Sequence, residues 1–488
     1  MSVITGKWLG KKCALIERHS MGGDCLNIGC VPSKAVISAA NAFRKVKEVG
    51  KFGITLPVGE PTIDFGYVMQ RMRRIRAEIS HHDSVSRYAR DFCEHVFVGQ
   101  GEFAPISEGK VITVTGDDGS KRKLRYKKAM IATGASAFVP PALVNVPHLT
   151  NANFFNLTTL PPRMVVIGSG PIGLELAQSM AVFGCQVTCL ERGRQILTKE
   201  DPDAAEVLAS QLEKDGVSIM YHSSVVTVEV CNKESNPSIY EGPFPLYNVK
   251  IRDSISGEEK VIQCEAILNA TGRVPNVFDI GLEHVGVSFD NRQGVHINDQ
   301  FMTDNRDIYS CGDCSTAYKF THAADFQARL AIRNMYLGDA NRLSDMLIPW
   351  CTYTFPEIAH VGKYELELER EGVKFESFVR QLAPVDRCLC DGVDSGFVKL
   401  TVLHGSDKII GATICGEHAG DMISELTICI QHGIGISQVA GTIHPYPTTQ
   451  ESIRQCALGF YKHYKNPTGL PLATLKLLMA EVEKQENS

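Results

Sequence analysis

Val165-Val166-Ile167-Gly168-Ser169-Gly170-Pro171-Ile172-Gly173 is a short apolar run that feeds a Gly-x-Gly-x-x-Gly turn and then a helical pattern. An apolar run of this length reads as a buried parallel strand. Gly168 permits the tight turn, Gly170 lets the backbone approach a pyrophosphate, and Gly173 lets helix and strand pack closely. The helix N-terminus adds amide donors and a positive field. The next strand pattern ends in Glu191, 18 residues beyond Gly173. Together these features predict a dinucleotide site in a doubly wound α/β unit. Glu191 would take a ribose 2′-hydroxyl and repel a 2′-phosphate, which favours NADH over NADPH. Arg192 and Arg194 would act in the opposite sense unless they are a solvated surface pair.

Upstream lies a second constellation, Gly22-Gly23-Asp24-Cys25-Leu26-Asn27-Ile28-Gly29-Cys30-Val31-Pro32-Ser33-Lys34. Two cysteines five residues apart stand at the head of a helical pattern running from Cys30 to about Val49. A helix N-terminus or a neighbouring cation lowers a thiol pKa. An exposed or strained disulfide at such a place is exchangeable, so this segment reads as a redox centre. Cys13–Glu17 reads as a buried parallel strand. Ile63 to Arg90 reads as a second helical region with a basic exposed face. Val96–Val114 and Lys123–Thr133 read as strands. Leu160-Pro161-Pro162 marks a boundary. From Trp350 onward the pattern becomes α+β, with strands near Phe397–Leu403 and Ile409–Gly416 and a helix near Ala419–His432. The tail from Pro467 to Ser488 reads as a charged amphipathic helix.

The 488 residues are 44% hydrophobic and 22% charged, with a net charge of -5. This is the composition of an ordinary globular protein of about three domains. It gives no reason to expect a nucleic-acid partner. No run reaches the roughly 20 apolar residues of a membrane span, and the opening residues do not read as a secretory leader. The 16 cysteines are scattered, which points to a reducing compartment with one exchangeable pair as the exception. Cytoplasm is the default expectation, with an organelle left open. Cys311-Gly312-Asp313-Cys314 and Cys388-Leu389-Cys390 lack a second matching pair, so no metal site is expected.

With both constellations placed, the chain resembles the pyridine-nucleotide disulfide oxidoreductases, which include dihydrolipoamide dehydrogenase, glutathione reductase and mercuric reductase. The resemblance runs from about residue 8 to 462. It rests on the ordered set of the Cys25/Cys30 motif, Ala132-Thr133-Gly134, the glycine turn, Ala270-Thr271-Gly272-Arg273, Gly312-Asp313, and Pro445 to Glu451. It implies two doubly wound dinucleotide-binding domains, for FAD and NAD(P), plus a C-terminal α+β dimerisation domain. The implied boundaries are residues 1–158 and 281–345 for FAD, 159–280 for NAD(P)H, 346–466 for a homodimer interface, and 467–488 for a tail helix.

By the same resemblance, Cys30 is the flavin-proximal thiol of the charge-transfer complex, and Cys25 is the interchange thiol that meets the acceptor. Lys34 looks like the cation beside flavin N5, paired with Glu175. Glu17 looks like the acid on the FAD adenosine ribose. Gly101, Thr133, Gly134 and Ala135 look like contacts to the flavin nucleotide, and Asp313 like the ribityl and phosphate contact. Lys319, Phe320, Thr321 and His322 would lie along the isoalloxazine. Val225 and Gly272 look like further NAD contacts. A cation near the flavin stabilises negative charge on its reduced form.

The chain departs from the family pattern twice. The family opens with a strand and its own glycine turn for the FAD pyrophosphate; here Thr5 to Lys12 already reads as the end of the following helix. The expectation is a truncated gene model or splice form, with an FAD-free non-catalytic dimerising protein as the rival. The second departure is at the acceptor site. Disulfide reductases of the family carry a His five residues before the Glu. In Ile443-His444-Pro445-Tyr446-Pro447-Thr448-Thr449-Gln450-Glu451 that place is Tyr446, and His444 is two residues too early. A Tyr with a pKa near 10 is a poor base at neutral pH. Mercuric reductase also carries Tyr here but adds a C-terminal cysteine pair, and this chain has no cysteine after Cys456. The reading is an FAD-dependent NAD(P)H oxidoreductase with a redox-active Cys25–Cys30 disulfide and an unidentified small-molecule or small-disulfide acceptor. A metal ion, a quinone or oxygen is favoured. The alternatives are a dihydrolipoamide dehydrogenase-like enzyme and a metal-ion reductase.

Overall fold

The strand Arg163–Ile167 sits inside a four-stranded parallel sheet of order Val217–Met220, Gln186–Leu190, Arg163–Ile167, Ala266–Asn269. In this computed structural model, residues 1–57, 59–231, 238–464, 474 and 477 are described. The glycine turn leads into the helix Pro171–Val182, buried at every position from Gly173 onward. Its buried polar residues Glu175, Gln178 and Ser179 each find hydrogen-bond partners. The helix is packed between its own sheet and the long helix Cys30–Glu48. An antiparallel ladder of Ser223–Val230, Tyr247–Asp253 and Glu259–Cys264 covers the other side.

The helix Cys30–Glu48 carries Val36, Ala40 and Phe43 at helical spacing, and these meet Met69 and Met72 of the helix Phe65–Ser80 in one core. The helical region expected over Ile63 to Arg90 breaks at a 3-10 turn, His81–Asp83. A second helix, Val85–Asp91, then starts where Ser84 accepts a hydrogen bond from the Arg87 amide. The expected basic exposed face holds at Arg71, Arg74 and Arg90, which are exposed, whereas Arg73 and Arg76 are half-buried. Arg71 donates to the Ala35 carbonyl, Arg73 to those of Phe155 and Leu157, and Arg76 to that of Asn27 at 3.0 Å. The long arginine stems lie along the protein while their planar forks reach neighbouring carbonyls.

Ala14–Glu17 pairs in parallel with His95–Val98, but all four of its residues are only half-buried, not buried as the apolar run suggested. These two strands form a sheet of their own, so the strand is covered on one edge only. The region read as strand over Val96–Val114 is three separate strands, the last two joined with Lys121–Arg125 in an antiparallel meander. Ala129–Ile131 pairs in parallel with Ile308–Ser310. Residues on either side of the dinucleotide unit therefore share one sheet.

The third region is a five-stranded antiparallel sheet of order Trp350–Thr352, Glu357–Gly362, Ile409–Gly416, Phe397–Leu403, Phe375–Gln381. The helices Ala419–His432 and Glu451–His463 pack on it. The expected tail helix lies outside the described residues, apart from positions 474 and 477. Among the described residues no helix is long and apolar enough to cross a membrane.

Candidate active site

Cys25 and Cys30 flank a bend between two helices, Gly23–Asn27 and Cys30–Glu48. The bend needs glycine. Gly22 sits at φ 90°, and a Cβ on Gly29 would stand 2.9 Å from the Asp24 carbonyl oxygen. Asn27 braces the loop by donating to the Met21 and Gly23 carbonyls, each at 2.9 Å. Both cysteines are thiols in this structure rather than a closed disulfide. Cys30 opens its 19-residue helix, and its Sγ lies 3.5 Å from the Thr321 hydroxyl. A hydrogen bond from the Cys25 thiol pulls the Cys30 pKa down to about 6, with help from Thr321 and the Lys34 charge. The same hydrogen bond, with burial, pushes Cys25 up. Cys30 is therefore the more acidic thiol of the pair.

One turn along, Lys34 Nζ donates to Glu175 Oε2 at 2.8 Å and lies 4.2 Å over the Tyr353 ring. The other Glu175 oxygen accepts the Tyr353 amide at 3.0 Å. Tyr353 was not singled out from the sequence, because nothing local connects it to residue 34.

Asp313 lies in the short turn Gly312–Cys314, where burial raises its pKa. Lys319 donates to the Asp313 carbonyl at 3.0 Å, and burial lowers the lysine's pKa. Arg273 bonds the Asp24 carboxylate and the Ala135 carbonyl and stands 3.7 Å from Asp313. Its buried Nε, the atom facing Asp313, makes no hydrogen bond. Phe320 stacks on His322 at 5.4 Å, and His322 is hydrogen-bonded to the Pro349 carbonyl. Thr133 donates to the Asn276 carbonyl at 2.6 Å, Gly134 takes φ 72°, and Ala135 is buried in the adjoining strand. Glu17 ends its strand and accepts the His19 amide at 2.9 Å. Gly101 has a packing reason: a Cβ there would stand 3.1 Å from Ile16.

On the nucleotide side, the three glycines differ in their surroundings. A Cβ on Gly168 would meet the Ala270 oxygen at 2.6 Å, and one on Gly173 the Gly168 oxygen at 2.3 Å. Gly170 faces open space within 4 Å. Two glycines thus permit close packing and the middle one leaves room. Glu191 accepts from the Ser169 hydroxyl and, at 2.5 Å, from the Gly193 amide, which ties the acid to the glycine turn. Arg192 and Arg194 are exposed. Val225 sits at a bulge in its ladder, and Gly272 at φ 141°.

Tyr446, His444 and Glu451 make their hydrogen bonds within the third region. The exposed Tyr446 hydroxyl donates to Asp386 at 2.8 Å, and that bond with its charge raises the phenol's pKa. His444 bonds Glu425 at 2.9 Å and the Thr442 carbonyl, with its side chain only 5% exposed. Glu451 begins its helix, and its amide donates to Thr448. Among the described residues no group of three or more His, Cys, Asp or Glu is arranged to hold a metal ion.

The donor set suits the flavin end of FAD. The cation Lys34, the acidic thiol Cys30, the half-buried carboxylate Asp313 and an Arg273 nitrogen that makes no hydrogen bond are the groups it offers there. The described residues show a glycine turn of the strand-turn-helix kind at Gly168–Gly173 only, not beside Glu17.

Residues 3–328 match the family described as pyridine nucleotide-disulphide oxidoreductase, and residues 348–457 match that family's dimerisation domain. A mercuric reductase of Bacillus cereus is 30% identical over 463 residues, covering 94% of this chain and 69% of that protein. A dihydrolipoyl dehydrogenase of Geobacillus stearothermophilus is 30% identical over 459 residues, covering 94% and 93%. Among solved structures, the Cu(II) complex of the HOCl-induced flavoprotein disulfide reductase RclA from Escherichia coli shares the fold. Its TM-score is 0.80 at 22% identity, over 94% of this chain and 96% of that one. LpdA from Mycobacterium tuberculosis shares it equally, with TM-score 0.80 and 23% identity over 94% and 96%.

Proposed function

The chain belongs to the pyridine nucleotide-disulphide oxidoreductase family, and from that premise we propose that its Cys25–Cys30 pair hands electrons to an acceptor requiring no thiol general base. Members of the family are oxidoreductases that use FAD and NAD(P)H, and the matched dimerisation domain supports a homodimer. FAD, when bound, supplies the electron exchange between nucleotide and dithiol. Lys34, Asp313, Lys319 and Glu17 are the residues that would hold it. The glycine turn Gly168–Gly173 would seat the pyrophosphate of the nucleotide, and Glu191 would take the adenosine ribose, favouring NADH.

The protein's own task is to manage protons and charge. Closing the Cys25–Cys30 bond releases two electrons and the protons the pair holds. Cys30 is the more acidic thiol, so the Cys25 proton is the harder one to release as the bond closes. A disulfide acceptor would need that proton shuttled to its leaving thiol. The acceptor reading rests on one observation: the Tyr446 phenol donates to Asp386, so the group at the expected place of the base is a weak acid raised further from neutrality. His444 is engaged with Glu425. Quinones, oxygen and metal ions are then favoured acceptors. Among them, a soft metal ion suits sulfur ligands such as Cys25 and Cys30, and several relatives are named mercuric reductases. The test is NADH oxidation by the flavin-loaded enzyme with a quinone, oxygen, Hg(II) and lipoamide in parallel. Turnover with lipoamide that exceeds the other three and is abolished by His444→Ala overturns the reading. Anaerobic NADH titration tests the dithiol role separately. A long-wavelength thiolate band should appear on two-electron reduction and vanish in Cys30→Ser.

A further inference from the structure

The segment after Glu191 connects three parts of the molecule. At one end the Ser169 carbonyl, inside the glycine turn, accepts the Leu197 amide at 3.1 Å. Leu197 is held at φ 45°, a region that side chains with a Cβ avoid. The Leu197 carbonyl in turn accepts the Glu200 amide at 2.8 Å. Glu200 is 5% exposed, and both its oxygens are engaged. Oε1 accepts the Trp350 indole N–H at 3.0 Å, and Oε2 accepts the Tyr364 hydroxyl at 2.5 Å. Trp350 Nε1 is also 3.1 Å from the Tyr364 hydroxyl, which closes a triangle. A buried carboxylate with two donors is held in one orientation, because rotating it strands a donor.

Trp350 carries the contact onward. Its ring stacks on Phe320, 6.1 Å between centroids and 8° from parallel. Phe320 is the residue before Thr321, whose hydroxyl meets the Cys30 sulfur. The path from glycine turn to thiol thus runs through bonded or stacked groups at every step, and it does not use the Lys34–Glu175 pair.

We propose that Glu200 and Trp350 form a positioning relay through which a nucleotide seated on the Gly168–Gly173 turn is sensed at Cys30, an inference that rests on the nucleotide and dithiol roles proposed above. Seating the nucleotide loads the Ser169 backbone. The Leu197–Glu200 segment shifts with it, Trp350 follows the carboxylate, and Phe320 carries Thr321 toward or away from Cys30. Coupling of this kind needs a contiguous element that both sites bias.

ADP-ribose tests it, because it engages the glycine turn and the ribose acid but carries no nicotinamide to exchange electrons. The chain has two tryptophans, Trp8 and Trp350. In a Trp8→Phe background the emission therefore reports Trp350 alone. Saturating ADP-ribose should shift that emission and change the rate of Cys30 alkylation by iodoacetamide in the reduced protein by about fivefold, resolved by peptide mass spectrometry. Glu200→Gln keeps the shape but leaves one acceptor oxygen for two donors. In the Trp8-containing protein, Trp350→Phe keeps a ring on Phe320 and drops the N–H. Both variants should bind ADP-ribose as the parent does by calorimetry and lose the response at Cys30. If the parent binds ADP-ribose and neither emission nor alkylation responds, or if both variants respond as the parent does, the relay is wrong while the nucleotide site stands. A change only in resting Cys30 reactivity means a structural role and also overturns it. No calorimetric binding removes the nucleotide reading and the relay with it.

Discussion

Lys34 and Glu175 meet at 2.8 Å across 141 residues of sequence, joining the helix that begins with Cys30 to the helix that begins after the glycine turn. The carboxylate is 7% exposed and the lysine 36%. Glu175 is thus desolvated and depends on its partner, while Lys34 retains some water. Removing the lysine leaves a buried charge with only the Tyr353 amide. Lys34→Met should cost about 2 kcal/mol, below the figure for a fully buried pair because the ammonium is partly solvated. The double variant Lys34→Met/Glu175→Gln should recover part of that loss. Urea unfolding of the three proteins checks it, and an additive double variant contradicts it.

The Cys30 thiol gives a signed pH dependence. Its pKa in the folded protein is about 6, against an ordinary 9.0. Between these values the unfolded chain holds a proton that the folded chain does not, so stability should rise with pH across that window and this contribution should be lost as pH falls through about 6. Cys25 is displaced upward, so above the ordinary thiol range the trend should reverse. Thr321→Val removes a donor to the thiolate and should move the Cys30 alkylation midpoint upward. An unchanged midpoint would show that the hydroxyl contributes nothing.

Local patterns carried much of this structure. The helix from Cys30, the strands Phe397–Leu403 and Ile409–Gly416 and the helix Ala419–His432 all follow from periodicity and end where glycine or a turn ends them. The glycine turn was legible because close packing demands a missing Cβ, and the structure shows that demand at Gly168 and Gly173. Pairings between distant residues were legible only where the family resemblance implied them, as for Lys34 with Glu175. Tyr353 against Lys34 and Trp350 against Glu200 depend on how regions pack. So do Arg73 and Arg76 of Phe65–Ser80: charge predicts solvent, and both are half-buried against nearby carbonyls, while Arg71 and Arg74 stay exposed. The half-exposure of Ala14–Glu17 belongs to the same class, since an apolar strand cannot announce how many neighbours it will have.

The glycine turn makes a steric prediction. A Cβ at Gly173 would stand 2.3 Å from the Gly168 oxygen and 3.1 Å from the Ala270 Cβ, and both neighbours belong to packed backbone or core. Gly173→Ala should therefore displace the turn, costing about 1–3 kcal/mol of stability and weakening NADH binding by about tenfold or more. Gly170→Ala, with open space around it, should leave stability nearly unchanged and still weaken NADH binding, because its Cβ would point where the backbone must approach phosphate. Thermal unfolding and NADH titration of the pair separate the two glycines. Equal stability losses would contradict the assignment.

Tyr446 offers the sharpest test of the acceptor reading. Its hydroxyl donates to Asp386, and the bond together with the carboxylate charge holds the phenol above its ordinary pKa. Asp386→Asn removes the charge and should bring the phenol's ultraviolet titration down toward about 10. That change alone should not create disulfide turnover, because a phenol at that value still holds its proton near neutral pH. Tyr446→His places an imidazole five residues before Glu451, with a pKa near working pH. General base catalysis of this kind contributes about 10²-fold or more, so NADH-dependent reduction of lipoamide should rise on that scale. Quinone reduction should change little, since it requires no proton shuttled to a leaving thiol. If Tyr446→His leaves lipoamide turnover at the parent level while the flavin still reduces, the residue at this position does not select the acceptor. Selection would then have to come from access to Cys25.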